Sequence, residues 1–393
     1  MDRMRNPFTP GAGALPPELA GRESIIEDGQ VLAGRMLRGR YEQGMMLIGL
    51  RGVGKTVLLK HLAEQARREG VIPVVVEVRN SANDMEELTL RIKEALCSID
   101  LRTKMKASVN FAYSVLRNFV KSISVNIGEF GMSVETNPGL GESGNMEFDL
   151  SEVLMASARA AKDSGTAVGL YIDELQNLNV EAMRGIIVAI HHANQEQLPL
   201  YLVGSGLPSI RGLIGKSKTY AERMFNYEVV GALDLAASTS AIANPLKTEG
   251  VEIETSAMSR LHEVTDGYPY FLQESGYQLW LHATKNVIVK EDVDAVMPAV
   301  IARLDKNFFD VRFDRVSTLE REILRTMADV GGDEIPISAL VEKMGRTQAS
   351  LSTARASLIR KGMIYASSFG HIAYTVPMFS EYLKRKMSNS KSF

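Results

Sequence analysis

Gly49-Leu50-Arg51-Gly52-Val53-Gly54-Lys55-Thr56 fits the pattern G-x-x-x-x-G-K-[ST]. In front of it, Met45-Met46-Leu47-Ile48 is a short apolar run that reads as a buried strand. Behind it, Val57-Leu58-Leu59-Lys60-His61-Leu62-Ala63 continues with apolar residues at helical spacing. Strand, glycine-rich turn and helix, in that order, make a phosphate cradle. The glycines let the backbone turn tightly with its N–H groups aimed inward, and the helix start adds its positive end. Gly49, Leu50, Arg51, Gly52, Val53, Gly54, Lys55, Thr56 and Val57 are therefore expected around the phosphates of a nucleotide, ATP. Lys55 is expected to reach the β- and γ-phosphates, and the Thr56 hydroxyl to ligate Mg²⁺.

Val168-Gly169-Leu170-Tyr171-Ile172-Asp173-Glu174 is the second informative stretch. An apolar strand delivers two acids at its C-terminal end, where open α/β sheets bind ligands. Asp173 is expected to hold Mg²⁺ through water, and Glu174 to orient or deprotonate an attacking water. Residues 198–203 read as another strand, running into Gly204-Ser205-Gly206. Ser205 is either a sensor of the γ-phosphate or a serine of a tight turn. Tyr220-Ala221-Glu222-Arg223 leads into the last core strand, 225–230. Arg223 either completes a charge clamp on the phosphates, in its own chain or a neighbour's, or makes a surface ion pair.

The 393 residues exceed one typical domain. A net charge of -2 gives no argument for nucleic acid over the whole chain, yet leaves room for a basic face on one domain. The single cysteine, Cys97, excludes an internal disulfide and fits a reducing cytoplasm. Lying beside Leu96 and Ile99, it reads as a buried core thiol. No apolar run reaches membrane-spanning length, and Arg3 and Arg5 are not followed by the apolar stretch of a signal peptide. His191-His192 is no metal site, because neighbours on a helix face different ways.

The alternation of strands and helices predicts an α/β core with a parallel sheet over 21–234, after an irregular Pro/Gly-rich segment, 1–20. Residues 101–146 interrupt the pattern. Period-two alternation over 122–127 and 130–135 reads as an inserted β-hairpin at about 121–136, either decorative or in contact with a partner. Residues 235–312 have helical spacing, broken at Gly267-Tyr268-Pro269, and read as a helical lid. From 313 onward the pattern is helix, short helix, turn, helix and hairpin, which describes a winged helix-turn-helix. Its third helix offers Gln348, Ser352 and Arg355, with Arg346 before it and Arg360 and Lys361 at its end. These types contact phosphates and base edges, although winged helices also bind protein.

These pieces together resemble an AAA+ ATPase, and most closely the bacterial and archaeal ATPases similar to origin-recognition initiators. The resemblance rests on the phosphate loop, Asp173-Glu174, Gly204-Ser205-Gly206-Leu207-Pro208, the lid and the terminal winged helix, and covers nearly the whole chain. It implies that Gly21-Arg22-Glu23 lies near adenine, that Ser205 is a first sensor, and that Arg223 is the arginine of the last strand. Origin initiators usually carry a second-sensor arginine in the lid helix. Here Gly267-Tyr268-Pro269-Tyr270-Phe271-Leu272 has none, and is more like the STAND signalling ATPases, whose glycine-x-proline turn packs on the base. That makes Tyr268 and Pro269 adenine contacts. The resemblance implies a nucleotide-driven switch that hydrolyses ATP and binds double-stranded DNA. The alternatives are a STAND-like regulator with a protein partner, or an AAA+ partner of a transposition or defence system. A homo-oligomer is compatible with each.

Overall fold

The computed structural model describes residues 1–393 except 12, 82, 103–105, 124–139 and 391–393. After α1 (Glu23–Leu37), strand β1 (Gly44–Ile48) feeds the phosphate loop and α2 (Lys55–Glu69). Then follow β2 (Ile72–Glu77), α3 (Asp84–Arg102), α4 (Lys106–Ser122), α5 (Met146–Asp163), β3 (Val168–Asp173), α6 (Val180–Gln195), β4 (Leu200–Gly206), α7 (Ile210–Ser217) and β5 (Phe225–Val229). The five strands form one sheet in the order β2-β3-β4-β1-β5, all parallel. Successive side chains alternate between its faces. Met45 and Leu47 join the core under α1 and α2, while Met46 and Ile48 join the core under α3 to α6. Burial on both faces explains why these strands read as unbroken apolar runs.

Two expectations need correction. Residues 106–122 form a helix, α4, with Val109, Ala112, Leu116 and Phe119 buried against α5. The expected hairpin falls, from residue 124 on, outside the described residues, and Ser122 belongs to α4. Cys97 is exposed, its sulfur accepting a hydrogen bond from the Tyr113 hydroxyl at 3.0 Å. Along α3 the buried stripe runs through Leu88, Ile92, Leu96 and Ile99. Cys97 stands one residue, about 100°, round the helix from Leu96 and so misses that stripe.

The lid holds α8 (Leu235–Thr248), β6 (Glu252–Ile253), α9 (Thr255–Thr265), α10 (Pro269–His282), β7 (Val287–Ile288) and α11 (Lys290–Leu304). A π-helical turn, Asp305–Asp310, and α12 (Val311–Phe313) leave it. The C-terminal unit runs α13 (Thr318–Val330), β8 (Ile335–Pro336), α14 (Ile337–Met344), α15 (Gln348–Arg360), β9 (Ile364–Ser368), β10 (His371–Tyr374) and α16 (Phe379–Ser390). Its sheet has the order β8-β10-β9, antiparallel. This is the element order expected from sequence, with β8 as a third strand. Ser317 and Glu320 cap α13 reciprocally. Lys361 is not free for a partner, because it bonds the buried Glu320 at 2.6 Å. Burial alone would raise the Glu320 carboxyl, but the bonds from Lys361, Ser357 and the Ser317 amide hold it down at about 2. Among the described residues no helix is long and apolar enough to cross a membrane.

The N-terminal segment is irregular, as expected, apart from one 3₁₀ turn, Arg3–Arg5. It is nonetheless seated on the lid. Phe8 is 2% exposed and its ring fills the space above Gly276 of α10. The Trp280 indole N–H donates to the Asp2 carbonyl at 2.6 Å, and the Asn6 amide to the Tyr277 carbonyl at 3.2 Å. Truncating a buried phenylalanine costs about 3–5 kcal/mol. Phe8→Ala should therefore destabilise the lid by about 3 kcal/mol and open residues 1–20 to proteolysis. Denaturant titration with limited digestion reads both, and an unchanged digestion pattern would contradict this anchoring.

Candidate nucleotide site

The phosphate loop leaves β1 at the C-terminal edge of the sheet, between β4 and β5. Gly52 and Gly54 have φ values of 87° and 94°, which only glycine adopts without strain. Gly52 has a second reason to lack a side chain, because a Cβ there would meet the Tyr268 ring at 3.0 Å. Lys55 opens α2 and is 5% exposed, its ammonium donating to the Leu50 carbonyl at 2.7 Å. Burial lowers the Lys55 pKa; Glu174 and Asp173 oppose that, and Arg51 adds to it. Gly49 lies behind the loop, its N–H donating to the Gly206 carbonyl at 3.1 Å. Arg51 to Leu58 line a cavity of about 520 Å³.

Asp173 ends β3 and is 4% exposed. Its carboxylate accepts from the Thr56 hydroxyl at 2.5 Å, from the Ser205 hydroxyl, and from the Glu174 N–H at 3.0 Å. Ser205 is fully buried within β4 rather than in a turn, and it touches the acid instead of the cavity. Glu174 lines the cavity with φ of 51°, a left-handed conformation uncommon outside glycine. Such strain clusters at functional sites. Its carboxylate accepts from the Gln176 amide and lies 3.8 Å from the Arg51 guanidinium. Gln176 was missed from sequence. Its carbonyl also accepts from the Leu207 N–H at 3.2 Å, which ties Glu174 to the end of β4.

At the other end of the cavity stand Arg22, Pro269 and Tyr270, with residues of the N-terminal segment. Arg22 donates to the Gly231 carbonyl at 2.5 Å, and burial lowers its pKa against the opposing effect of Glu23. Pro269 lines the cavity as an adenine contact would. Tyr268 does not line it: its ring turns under Gly52, and its hydroxyl is buried without a partner. Arg223 is not brought to the phosphates of its own chain. It precedes β5, and Gly44 pairs with Phe225 while Ile48 pairs with Val229. The length of that strand, about 13 Å, separates it from the loop, so the clamp within one chain is excluded. A residue absent from the sequence reading, Arg312 of α12, lines the cavity instead.

The C-terminal unit reaches this site. The Arg51 N–H donates to the Thr375 carbonyl at 2.9 Å, and the Arg51 guanidinium lies so close over Gly362 that a Cβ there would meet it at 2.4 Å. The expected DNA-contact set is split. Arg346, Gln348 and Ser352 are exposed, Arg346 pairing with Glu322 at 3.2 Å. Arg355 and Arg360 line a cleft of about 1390 Å³ against the α/β core, whose other wall includes Arg51, Gln176 and Arg211. His191 stacks on Tyr220, and no group of three metal-ligating side chains occurs among the described residues.

The site fits a nucleoside triphosphate with a divalent cation. It has inward-turned loop amides, a buried ammonium, and the Thr56–Asp173 oxygen pair that would hold Mg²⁺. Residues 38–213 match a family described as an AAA domain, and residues 306–383 match a domain of unknown function (DUF8462). No curated protein matches the chain. The fold is similar to that of a Walker-type ATPase of Pyrococcus abyssi. That match is 16% identical with a TM-score of 0.56, and covers 95% of this chain and 99% of that one. Cdc6 of Pyrobaculum aerophilum is 15% identical with a TM-score of 0.49, over 98% and 99% of the two chains. Orc1 of Aeropyrum pernix, solved in complex with DNA, is 16% identical with a TM-score of 0.47, over 96% of each. The sheet, the loop and the family match give residues 38–213 the P-loop fold of an AAA domain.

Gly52→Ala should weaken ATP binding roughly tenfold, because a left-handed non-glycine residue costs about 1–2 kcal/mol and the added methyl presses on Tyr268. Calorimetric titration checks it; unchanged affinity would mean that the loop relaxes freely around Tyr268.

Proposed function

We propose that this chain is an ATP-hydrolysing switch that binds double-stranded DNA through its C-terminal unit, a winged helix. The observation that carries the hydrolytic half is the junction of Thr56, Asp173 and Glu174 at one edge of the sheet. Mg²⁺, when bound, would neutralise charge developing on the phosphates. Thr56 and Asp173 would hold it. Lys55 and the loop amides bind and orient the phosphates. Glu174 accepts the proton of the attacking water, while Gln176 and Arg51 fix its carboxylate. The products are ADP and phosphate.

The DNA half is supported by the element order of the C-terminal unit and by Gln348 and Ser352 on the open face of α15, with Arg346 beside it. Arg355 and Arg360 stand at the cleft toward the core. Undocking of the unit would free them, so nucleotide state and DNA binding are coupled on this reading. The second reading, a STAND-like regulator with a protein partner, is favoured by the seating of Thr375 and Gly362 on Arg51. Arg223, exposed at the opposite end of the sheet from the loop, can clamp phosphates only in a neighbouring copy, so a homo-oligomer would give it that role. A cytoplasmic setting suits the lone, exposed thiol.

ATP turnover with and without double-stranded DNA tests the proposal. The parent should hydrolyse ATP and be stimulated by DNA at low salt, with the effect falling as salt rises. Glu174→Gln should bind ATP but turn over at least ~10²-fold more slowly, the scale of a lost general base. Arg355→Ala should lose the stimulation and keep basal turnover. A Glu174→Gln protein as active as the parent would overturn the catalytic assignment. Turnover indifferent to DNA would favour the regulator.

A further inference from the structure

The end of the nucleotide cavity away from the phosphate loop is walled in part by the N-terminal segment. Thr9, Pro10, Gly13 and Pro16 line it, together with Pro269 and Gln273 of α10. Residues 9–16 carry no charge, so this wall suits a base and not phosphates. Between Phe8 and Gly21 the described residues form no helix or strand. Pro10, Pro16 and Pro17 have no backbone N–H to donate. Among the described residues from Thr9 to Leu19, two hydrogen bonds reach the lid. The Thr9 N–H donates to the Gln273 Oε1 at 3.4 Å, and the Asn244 amide donates to the Glu18 carboxylate at 2.6 Å. Two more fold the stretch on itself. The Thr9 hydroxyl donates to the Leu15 carbonyl at 3.2 Å, and the Ala14 N–H to the Gly11 carbonyl at 3.3 Å. A stretch with so few bonds opens locally, at a fraction of the cost of unfolding.

Its two ends are held differently. On the far side Ala20 is buried and leads directly into α1. On the near side the hold is a single ring, Phe8, seated so closely on Gly276 that a Cβ there would meet three ring atoms at 2.8 to 2.9 Å. That socket belongs to α10, the helix whose first turn lines the cavity, and Gln273 of the same helix both lines the cavity and accepts from Thr9. With Phe8 in its socket the stretch lies across the base end; with Phe8 out, one of its ends is free. At the phosphate end, by contrast, the loop is backed by the sheet and by Thr375 and Gly362 of the C-terminal unit. We propose that the N-terminal segment is a strap over the base end of the cavity, with Phe8 as its catch, and that nucleotide enters and leaves when the catch opens. This rests on the nucleotide reading above.

Association and dissociation rates of the fluorescent analogue mant-ADP with Mg²⁺, measured by stopped flow on the full chain, test this. Gly276→Ala is the sharper variant. Alanine favours the helix, yet its methyl takes the place of the Phe8 ring. It should speed association and dissociation alike, at least ~5-fold, and leave Kd within about threefold, because an open gate acts in both directions. Phe8→Ala removes the catch from the other side and should do the same, should the alanine at 276 fold poorly. Faster dissociation with unchanged association would make the segment a wall of the bound state and no gate. Unchanged rates in both variants would place the exit elsewhere. Either result overturns the proposal. A parent chain that binds no mant-ADP would instead overturn the nucleotide reading, and this one with it.

Discussion

The constraint on which this structure depends is the concentration of positive charge at one edge of a buried sheet. Lys55, Arg51 and Arg312 meet there, opposed by Asp173 and Glu174. Charges withdrawn from water must be paired or bonded. Asp173 is satisfied by Thr56, Ser205 and a backbone N–H, which bind the start of α2 to β3 and β4. Glu174 is satisfied by Gln176 and Arg51. The cations are less well matched: Lys55 has a carbonyl, and the buried Arg51 Nε has no partner. A polyphosphate would complete that balance, which is why the site reads as built for one.

Arg51 gives this local balance a longer reach. Its side chain lies between Glu174 and Gly362, and its backbone N–H is bonded to Thr375. The acid proposed as general base and the loop before β9 therefore share one residue of the phosphate loop. Gly362, with φ of 65°, turns the chain from α15 to β9 and leaves just the space that the guanidinium occupies. The C-terminal unit rests on Arg51 and on the loop that carries it. The segment that carries Arg312, another residue lining the cavity, is tied to α16 by Asp305 and Asp310. Two contacts, one through Arg51 and one through Asp305 and Asp310, thus hold the unit beside the phosphate-loop cavity.

Much of this was legible in the sequence because it is local. Strand, glycine turn and helix lie within 45–63, and the acids directly follow an apolar run. The parts that were not legible are long-range or angular. Gly-Ser-Gly after β4 looks like a turn, yet pairing with β1 extends the strand through Ser205 to Gly206. Cys97 sits among apolar residues but off their stripe by one helical step. The apolar spacing of 109, 112, 116 and 119 marks α4, and was overshadowed by the alternation that follows it. Arg223 stands at the wrong end of a parallel strand, which its place before β5 could have revealed. Arg312, Thr375 and Phe8 act on residues far away in the chain, and no local pattern announces such contacts.

The central claim is that the nucleotide governs how the C-terminal unit sits on the loop. The most direct test is a pulsed-EPR distance between a label on the exposed Cys97 of α3 and one on Ser352→Cys of α15, in a Glu174→Gln background. The account predicts different distance distributions with ADP and with Mg²⁺-ATP, by several ångströms, and loss of the difference when Arg51 or Arg312 is neutralised. One distribution, the same in both nucleotides, would contradict it.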